Sequence, residues 1–287
     1  MRFGVTIFST DVSMPVTDLA VAAEDRGFDS LWIPEHTHIP TSRRTPPPTG
    51  DTELAEEYKR SVDPLIALAG AAALTSTIRL GTGILLPAQR EPIVTAKAVA
   101  TLQNLSDGRF ELGIGFGWNV DEMEDHGVEF RTRREHTRDH MLAMQSLWTH
   151  EVASHDGEFV SFPPTWSWPK PQVKVPVLIG GGAGPKMFAH LAEYADGSDA
   201  HLSGRDAFLR YGMAVRAHIE RVGGKPGYAG PVTALMIGLA RAFVIYIHPE
   251  FIKQLGAGWK KHEARPELSA LLEANFLRYD GTGEDRK

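Results

Sequence analysis

Ser30-Leu31-Trp32-Ile33-Pro34-Glu35-His36 is a short apolar strand that runs straight into a carboxylate and an imidazole. About one strand-helix unit later, Ile78-Arg79-Leu80-Gly81-Thr82-Gly83-Ile84 forms a second strand whose end is rich in glycine. In a barrel of alternating strands and helices the catalytic groups sit where strands end, because the following loops surround one shared mouth. A carboxylate, an imidazole and a flexible backbone converging there point to chemistry on a flat cofactor.

Strand and helix signals alternate on both sides of this stretch. Arg2 to Phe8 is a β-branched and aromatic run, and Val16, Leu19, Ala20 and Ala23 then recur at helical spacing until Gly27 closes the helix. Thr37 to Lys59 carries Arg43, Arg44, three successive prolines from Pro46, and Gly50. Proline removes donors and fixes φ, so this is a long loop, placed to serve as a lid. Pro64 to Leu74 reads as helix, Ile78 to Leu86 as the third strand, and Pro92 opens a helix carrying Val94, Ala98, Leu102 and Leu105. Ser106-Asp107-Gly108 turns the chain into a fourth strand, Phe110 to Gly115, which runs into Phe116-Gly117-Trp118-Asn119. A helix from about Arg133 to Trp148 precedes a hairpin insertion within Glu151 to Pro171, with Gly157 at its bend. Val177-Leu178-Ile179 is a fifth strand, Gly180 to Gly184 a glycine loop, Pro185 to Tyr194 its helix, and Asp199 to Leu202 a sixth strand.

Repeated alternation of this kind argues for a parallel sheet, which short crossovers close most economically into a barrel. The alternative is a doubly wound open sheet. Polar and glycine-rich features follow strands two, three, four and five alike, whereas a switch-point fold concentrates them at one crevice.

The bulk numbers narrow the function classes. A chain of 287 residues is long enough to bury a large core, and 30 basic against 36 acidic side chains leave a net charge of -6. No global field favours nucleic acid or membrane, so an anionic ligand needs a local basic site. The absence of cysteine excludes disulfides, thiolate metal sites and thiol catalysis, and fits a reducing compartment. No stretch approaches membrane-spanning length and no targeting segment is evident, so the expectation is a soluble cytoplasmic protein.

Four motifs in order carry a resemblance: Gly27 to His36, Ile78 to Ile84, Asp107-Gly108-Arg109-Phe110 through Gly117-Trp118-Asn119, and Ile179-Gly180-Gly181-Gly182-Ala183-Gly184-Pro185. Together they resemble the luciferase-like monooxygenase superfamily, and within it the oxidoreductases that use the deazaflavin coenzyme F420. The resemblance spans about residues 1–202 and implies one (β/α)8 TIM-type barrel domain over 1–287. The cofactor is then expected at the C-terminal mouth of the strands. From about residue 235 the chain is atypical. The family pattern gives a helix and then a final strand after Val232 to Ile237, but Phe243-Val244-Ile245-Tyr246-Ile247 follows almost at once. A parallel crossover needs about ten or more residues, so either Leu235 to Ile247 is one helix or the segment packs elsewhere, disturbing barrel closure. Beyond it, Pro249 to Lys261 and Pro266 to Tyr279 read as helices.

Each candidate site residue has a functional and a plainer reading. His36 is the acid/base candidate, since an imidazole titrates near neutrality, with Glu35 as its partner; otherwise it is a loop histidine capped by Glu35. The resemblance favours the first and places the pair beside the deazaflavin ring. At Gly83-Ile84 it implies a non-proline cis peptide bond in a bulge against the back of the ring, where the residues alone indicate only a strand with room for a neighbour. The loop Gly181, Gly182, Ala183 and Gly184 before Pro185 offers backbone amides and a helix dipole to a phosphate, with Lys186 adding charge or facing solvent. The resemblance assigns this loop to the cofactor phosphate. Trp118 either walls the ring or packs under the hairpin, and Asn119 is placed to donate a hydrogen bond. Some F420 enzymes carry a carboxylate where Trp118 stands; Asp121 or Glu122 is the substitute from the next turn. Arg43 and Arg44 either close over an anionic tail or are solvated, and Arg131, Arg133, Arg134 and Arg138 read as an exposed helix face with local ion pairs. His136, His140 and His150 lack a zinc motif, and no metal is expected.

The leading expectation is therefore an oxidoreductase that transfers a hydride between coenzyme F420 and a small organic substrate. An FMN-dependent luciferase-like monooxygenase and a non-catalytic flavin or deazaflavin carrier are the alternatives, and a metal hydrolase is a third. A homodimer follows from the resemblance, whose members often pair through barrel helices.

Overall fold

The computed structural model describes residues 2–41, 43–47, 53–180, 185–196 and 242–246. In chain order the elements are β1 (Arg2–Thr6), α1 (Val16–Asp25), β2 (Ser30–Ile33), α2 (Pro64–Leu74), β3 (Arg79–Thr82), α3 (Pro92–Leu105), β4 (Phe110–Ile114) and α4 (Val120–Asp125). They continue with α5 (Arg133–Thr149), β5 (Ala153–Asp156), β6 (Ser161–Thr165), β7 (Val177–Ile179), α6 (Pro185–Tyr194) and β8 (Ala242–Tyr246).

Six strands form one sheet in the order β7-β4-β3-β2-β1-β8. Every pair in it is parallel, so the carboxyl ends of all six lie along one edge. Strands β2 and β4 are buried at every position, as a parallel strand covered on both faces must be. Leu31 and Ile33 face the helices and join Leu19, Leu68, Leu80, Phe110 and Leu112 in the main core. Trp32 lies between them in sequence and is fully buried, with its indole N–H donating to Ser30 Oγ at 2.9 Å. A Cβ added at Gly81 on β3 would fall 2.1 Å from the Trp32 ring, so the large side chain on β2 requires the missing one on β3.

Helices α2 and α3 begin where side chains satisfy their free N–H groups. Asp63 accepts from Ile66 N ahead of α2, and Glu91 accepts from Ile93 N and Val94 N ahead of α3; a proline stands at the start of each. The insertion is an antiparallel hairpin of β5 and β6, closed by Gly157 N donating to Val160 O. Asp139 from α5 accepts from Phe159 N and Val160 N and so fixes its bend. In the loop expected over 37–59, the only regular structure among the described residues is a short 3-10 turn, Glu56–Arg60.

The C-terminal expectation needs correction in one respect. Ala242–Tyr246 is not helical but a strand, paired in parallel with β1 from Arg2↔Ala242 to Thr6↔Tyr246. Its β-branched and aromatic composition suits a sheet, and the free edge of β1 gives it a partner remote in sequence. The expected strand at 199–202, the run 232–237 and the expected helices 249–261 and 266–279 lie outside the described residues. No helix among the described residues is long and apolar enough to cross a membrane.

Candidate active site

His36 follows β2 at the carboxyl edge of the sheet. Its Nδ1 lies 2.8 Å from Glu122 Oε2, and the side chains are only 7% and 1% exposed. A carboxylate only accepts, so the ring nitrogen donates. Three aromatic rings surround the imidazole: Tyr58 at 5.3 Å, Trp118 edge-on at 5.7 Å and Phe8 stacked at 6.3 Å between centroids. Ser61 Oγ donates to His36 O at 2.9 Å and holds the backbone. Trp118 therefore stands beside His36 and Tyr58, not under the hairpin.

The partner expected for His36 was Glu35, and the geometry places Glu35 elsewhere. Adjacent residues leaving a strand project in opposite directions, so Glu35 and His36 do not meet. Glu35 accepts from Arg90 Nε at 2.6 Å and from Leu86 N at 2.7 Å, and pairs with the Arg90 guanidinium. Burial pushes its carboxyl above the ordinary range, against the opposing pull of the Arg90 charge. Arg90 also reaches Asp63, the cap of α2, at 2.6 Å. Glu35 thus ties the end of β2 to the backbone just beyond β3.

Between β3 and Leu86 the chain passes through Gly83-Ile84, whose peptide bond is cis. Pairing is interrupted there: Gly83 N donates to Ile33 O at 2.7 Å, and the ladder resumes with Leu85 N to Gly113 O at 2.8 Å. Ile84 is partly accessible and packs over Gly115, where an added Cβ would fall 1.8 Å from Ile84 Cδ1. Beyond β4, Asn119 is 1% exposed, yet among the described residues neither its Oδ1 nor its Nδ2 has a hydrogen-bond partner. It precedes α4 without capping it.

The segment after His36 is fastened to α4 by a series of polar contacts. Thr37 N donates to Glu122 Oε1 at 3.3 Å, Thr37 Oγ1 meets His126 Nε2 at 2.7 Å, and His38 Nε2 meets Asp125 Oδ2 at 3.0 Å. Arg44 donates to Asp121 through its backbone N at 2.7 Å and its Nε at 2.8 Å, and pairs with Glu124. Arg44 is therefore engaged by protein carboxylates, and Asp121, weighed above as an acid, serves that pairing.

The glycine loop at 181–184 lies outside the described residues. Gly180 N donates to Ile114 O at 2.7 Å, which brings the loop's entry to the end of β4, while Lys186 in the first turn of α6 is exposed. The α5 arginines are not a uniform solvated face. Arg138 pairs with Glu193 of α6, Arg133 lies over Phe130, and Arg134 lies 4.2 Å from the Phe116 ring centroid. Of the three histidines weighed as ligands, His140 donates to Pro87 O at 2.8 Å and His136 stacks on Phe159. Among the described residues no group of three or more histidine or carboxylate side chains is arranged to hold a metal ion.

A planar cofactor suits these features: an accessible Ile84 over a glycine, an enclosed histidine, and a buried amide without a partner, all beyond the carboxyl ends of β2, β3 and β4. A family model described as luciferase-like monooxygenase matches residues 1–244. The chain belongs to the luciferase-like monooxygenase family. An uncharacterized protein of Mycobacterium tuberculosis is 46% identical to this luciferase-like chain over 200 residues, 69% of this chain and 71% of that one. The F420-dependent glucose-6-phosphate dehydrogenase of Kineococcus radiotolerans is 32% identical over 190 residues, covering 63% of this chain and 50% of that protein. The chain thus matches about half the length of that dehydrogenase. A solved F420-dependent secondary alcohol dehydrogenase, in complex with an F420-acetone adduct, superposes with a TM-score of 0.59 at 19% identity over 96% of this chain and 81% of its own, a likeness of fold. F420-dependent oxidoreductases are thus among the relatives of this luciferase-like protein, and its α/β fold with a parallel central sheet is the one they share.

Tyr58, Arg90 and the role of Glu122 as the His36 partner are the site residues that sequence reasoning missed. The signal for Glu122 was its place one turn beyond Trp118-Asn119; Tyr58, in a loop turn far from any strand end, gave none.

Proposed function

We propose that this luciferase-like protein is an oxidoreductase that passes a hydride between coenzyme F420 and a small organic substrate, with His36 exchanging the accompanying proton. The unpartnered amide of Asn119 carries the reading. A buried polar group left unsatisfied costs about 1–3 kcal/mol, and a ligand bearing complementary donors and acceptors removes that cost. The F420-dependent relative supports the deazaflavin as that ligand. In this reading Ile84, with Gly83, backs the ring, Trp118 walls it, and Gly181, Gly182, Ala183 and Gly184 with Lys186 receive the phosphate. The bound group supplies the hydride chemistry; the protein places the substrate and manages the proton. The family's monooxygenase description favours FMN as the second reading.

Differential scanning fluorimetry with F420 and FMN side by side separates the two. A ligand at 100 times its Kd stabilises the native state by about 2.7 kcal/mol, so F420 is expected to raise Tm clearly and FMN little. A rise with FMN alone replaces the deazaflavin reading, and no rise with either removes it.

A further inference from the structure

We propose that Glu122 is the positioning residue that decides which nitrogen of His36 performs the proton transfer. The inference rests on the reading of His36 as the acid/base group. Glu122 Oε2 accepts from Nδ1 at 2.8 Å, and Oε1 accepts from the backbone N of Thr37 at 3.3 Å. The carboxylate therefore grips the histidine and the residue after it at once. With Nδ1 holding its proton toward Glu122, Nε2 is the nitrogen with a free lone pair. Tyr58, Trp118 and Phe8 pack around the ring and oppose a flip that would exchange the two nitrogens.

The step balances for a hydroxyl-bearing substrate oxidised by the deazaflavin. With the deazaflavin bound as hydride acceptor, the substrate C–H bond would break with its electron pair leaving as hydride, the O–H proton would pass to His36 Nε2, and the C–O bond would become C=O. The imidazolium so formed lies against the Glu122 carboxylate, which stabilises it, and reduction runs the same steps in reverse. The other titratable groups around the pair have partners of their own. Glu35 is held by Arg90, His126 meets Thr37 Oγ1, and Tyr58 packs its ring on the imidazole. Glu35 is thus the backbone clamp of the site and Glu122 its proton-side partner, a division that adjacent numbering hides.

Nitrogen-15 NMR of the histidine rings in the cofactor-free protein tests this, with His36 assigned from a His36→Asn spectrum. The expected neutral form of His36 carries its proton on Nδ1 and has an unprotonated Nε2. Glu122→Gln is expected to shift that tautomer balance toward Nε2 protonation, while Asp125→Asn, which removes a charge beside His38 and His126 but touches neither His36 nor Glu122, leaves it unchanged. With F420 bound, Glu122→Gln is expected to lower kcat by roughly tenfold or more and to move the pH profile of kcat, with F420 affinity within about twofold of wild type. A neutral His36 protonated on Nε2 in the wild type, or a pH profile unmoved by Glu122→Gln, overturns the proposal. If the variant does not fold, the wild-type spectrum alone decides. Failure of F420 to bind while His36 keeps its Nδ1 proton refutes the cofactor reading and upholds the role of Glu122 in fixing the tautomer.

Discussion

A histidine at a strand end becomes useful chemistry only when something holds its ring, and at His36 the holders are Glu122, Tyr58, Trp118 and Phe8. His36→Asn keeps a polar group of similar length but removes the imidazole that would exchange the proton. It is expected to lower kcat by about 10²–10⁴-fold while leaving F420 affinity within a few-fold, read by steady-state kinetics beside a fluorescence titration. Equal losses in binding and turnover would make His36 a wall of the pocket instead. The chemistry at this scale was only partly legible. Residue type and strand-end position identified His36, because an imidazole following an apolar strand stands out. Its partner did not follow from adjacency, since Glu35 and His36 leave the strand on different sides and Glu122 arrives from another βα unit. The orphaned amide of Asn119 is likewise a property of burial, which no local pattern of residues reveals.

Among the elements, α1 shows how a side chain sets the start of a strand. Glu24, near its end, accepts from the backbone N–H groups of Ser76, Thr77 and Ile78, immediately ahead of β3. Burial raises the Glu24 carboxyl, but the hydrogen bonds from Ile78, Thr77 and Ser76 outweigh it and hold the group down at about 2, against an ordinary value of 4.5. A folded value below the unfolded one means that the stabilisation is fully present above about pH 4.5 and is lost as pH falls toward 2. Glu24→Gln is therefore expected to lower Tm at pH 7, and the gap from wild type is expected to shrink through that window in a pH series of thermal melts. A gap constant down to pH 2 would contradict the assignment. Elements with strong local periodicity or clear caps, such as α2 behind Asp63-Pro64 and α3 behind Glu91-Pro92, were readable from the chain. Ala242–Tyr246 was harder: its pairing with β1 is a contact between distant parts of the sequence, and spacing to its neighbours argued only against an ordinary crossover.

Across the molecule, parallel pairing is what turns scattered motifs into one site. Ile33, Thr82, Ile114 and Ile179 end four strands that run in the same direction, so Glu35-His36, Gly83-Ile84, Trp118-Asn119 and Gly180 all emerge at one edge. The alternation of strand and helix signals was sufficient to anticipate that convergence; the large-against-small fit of Trp32 with Gly81 beneath it was not, because it joins two strands across the sheet interior. The central claim is that a planar deazaflavin occupies this edge. A crystal structure of the protein with bound F420 tests it most directly. The account predicts the ring against Ile84, the Asn119 amide hydrogen-bonded to it, His36 Nε2 facing the reacting carbon, and the phosphate at 181–184. A ring bound elsewhere, or one that leaves the Asn119 amide unpartnered and His36 remote from its reacting carbon, would contradict it.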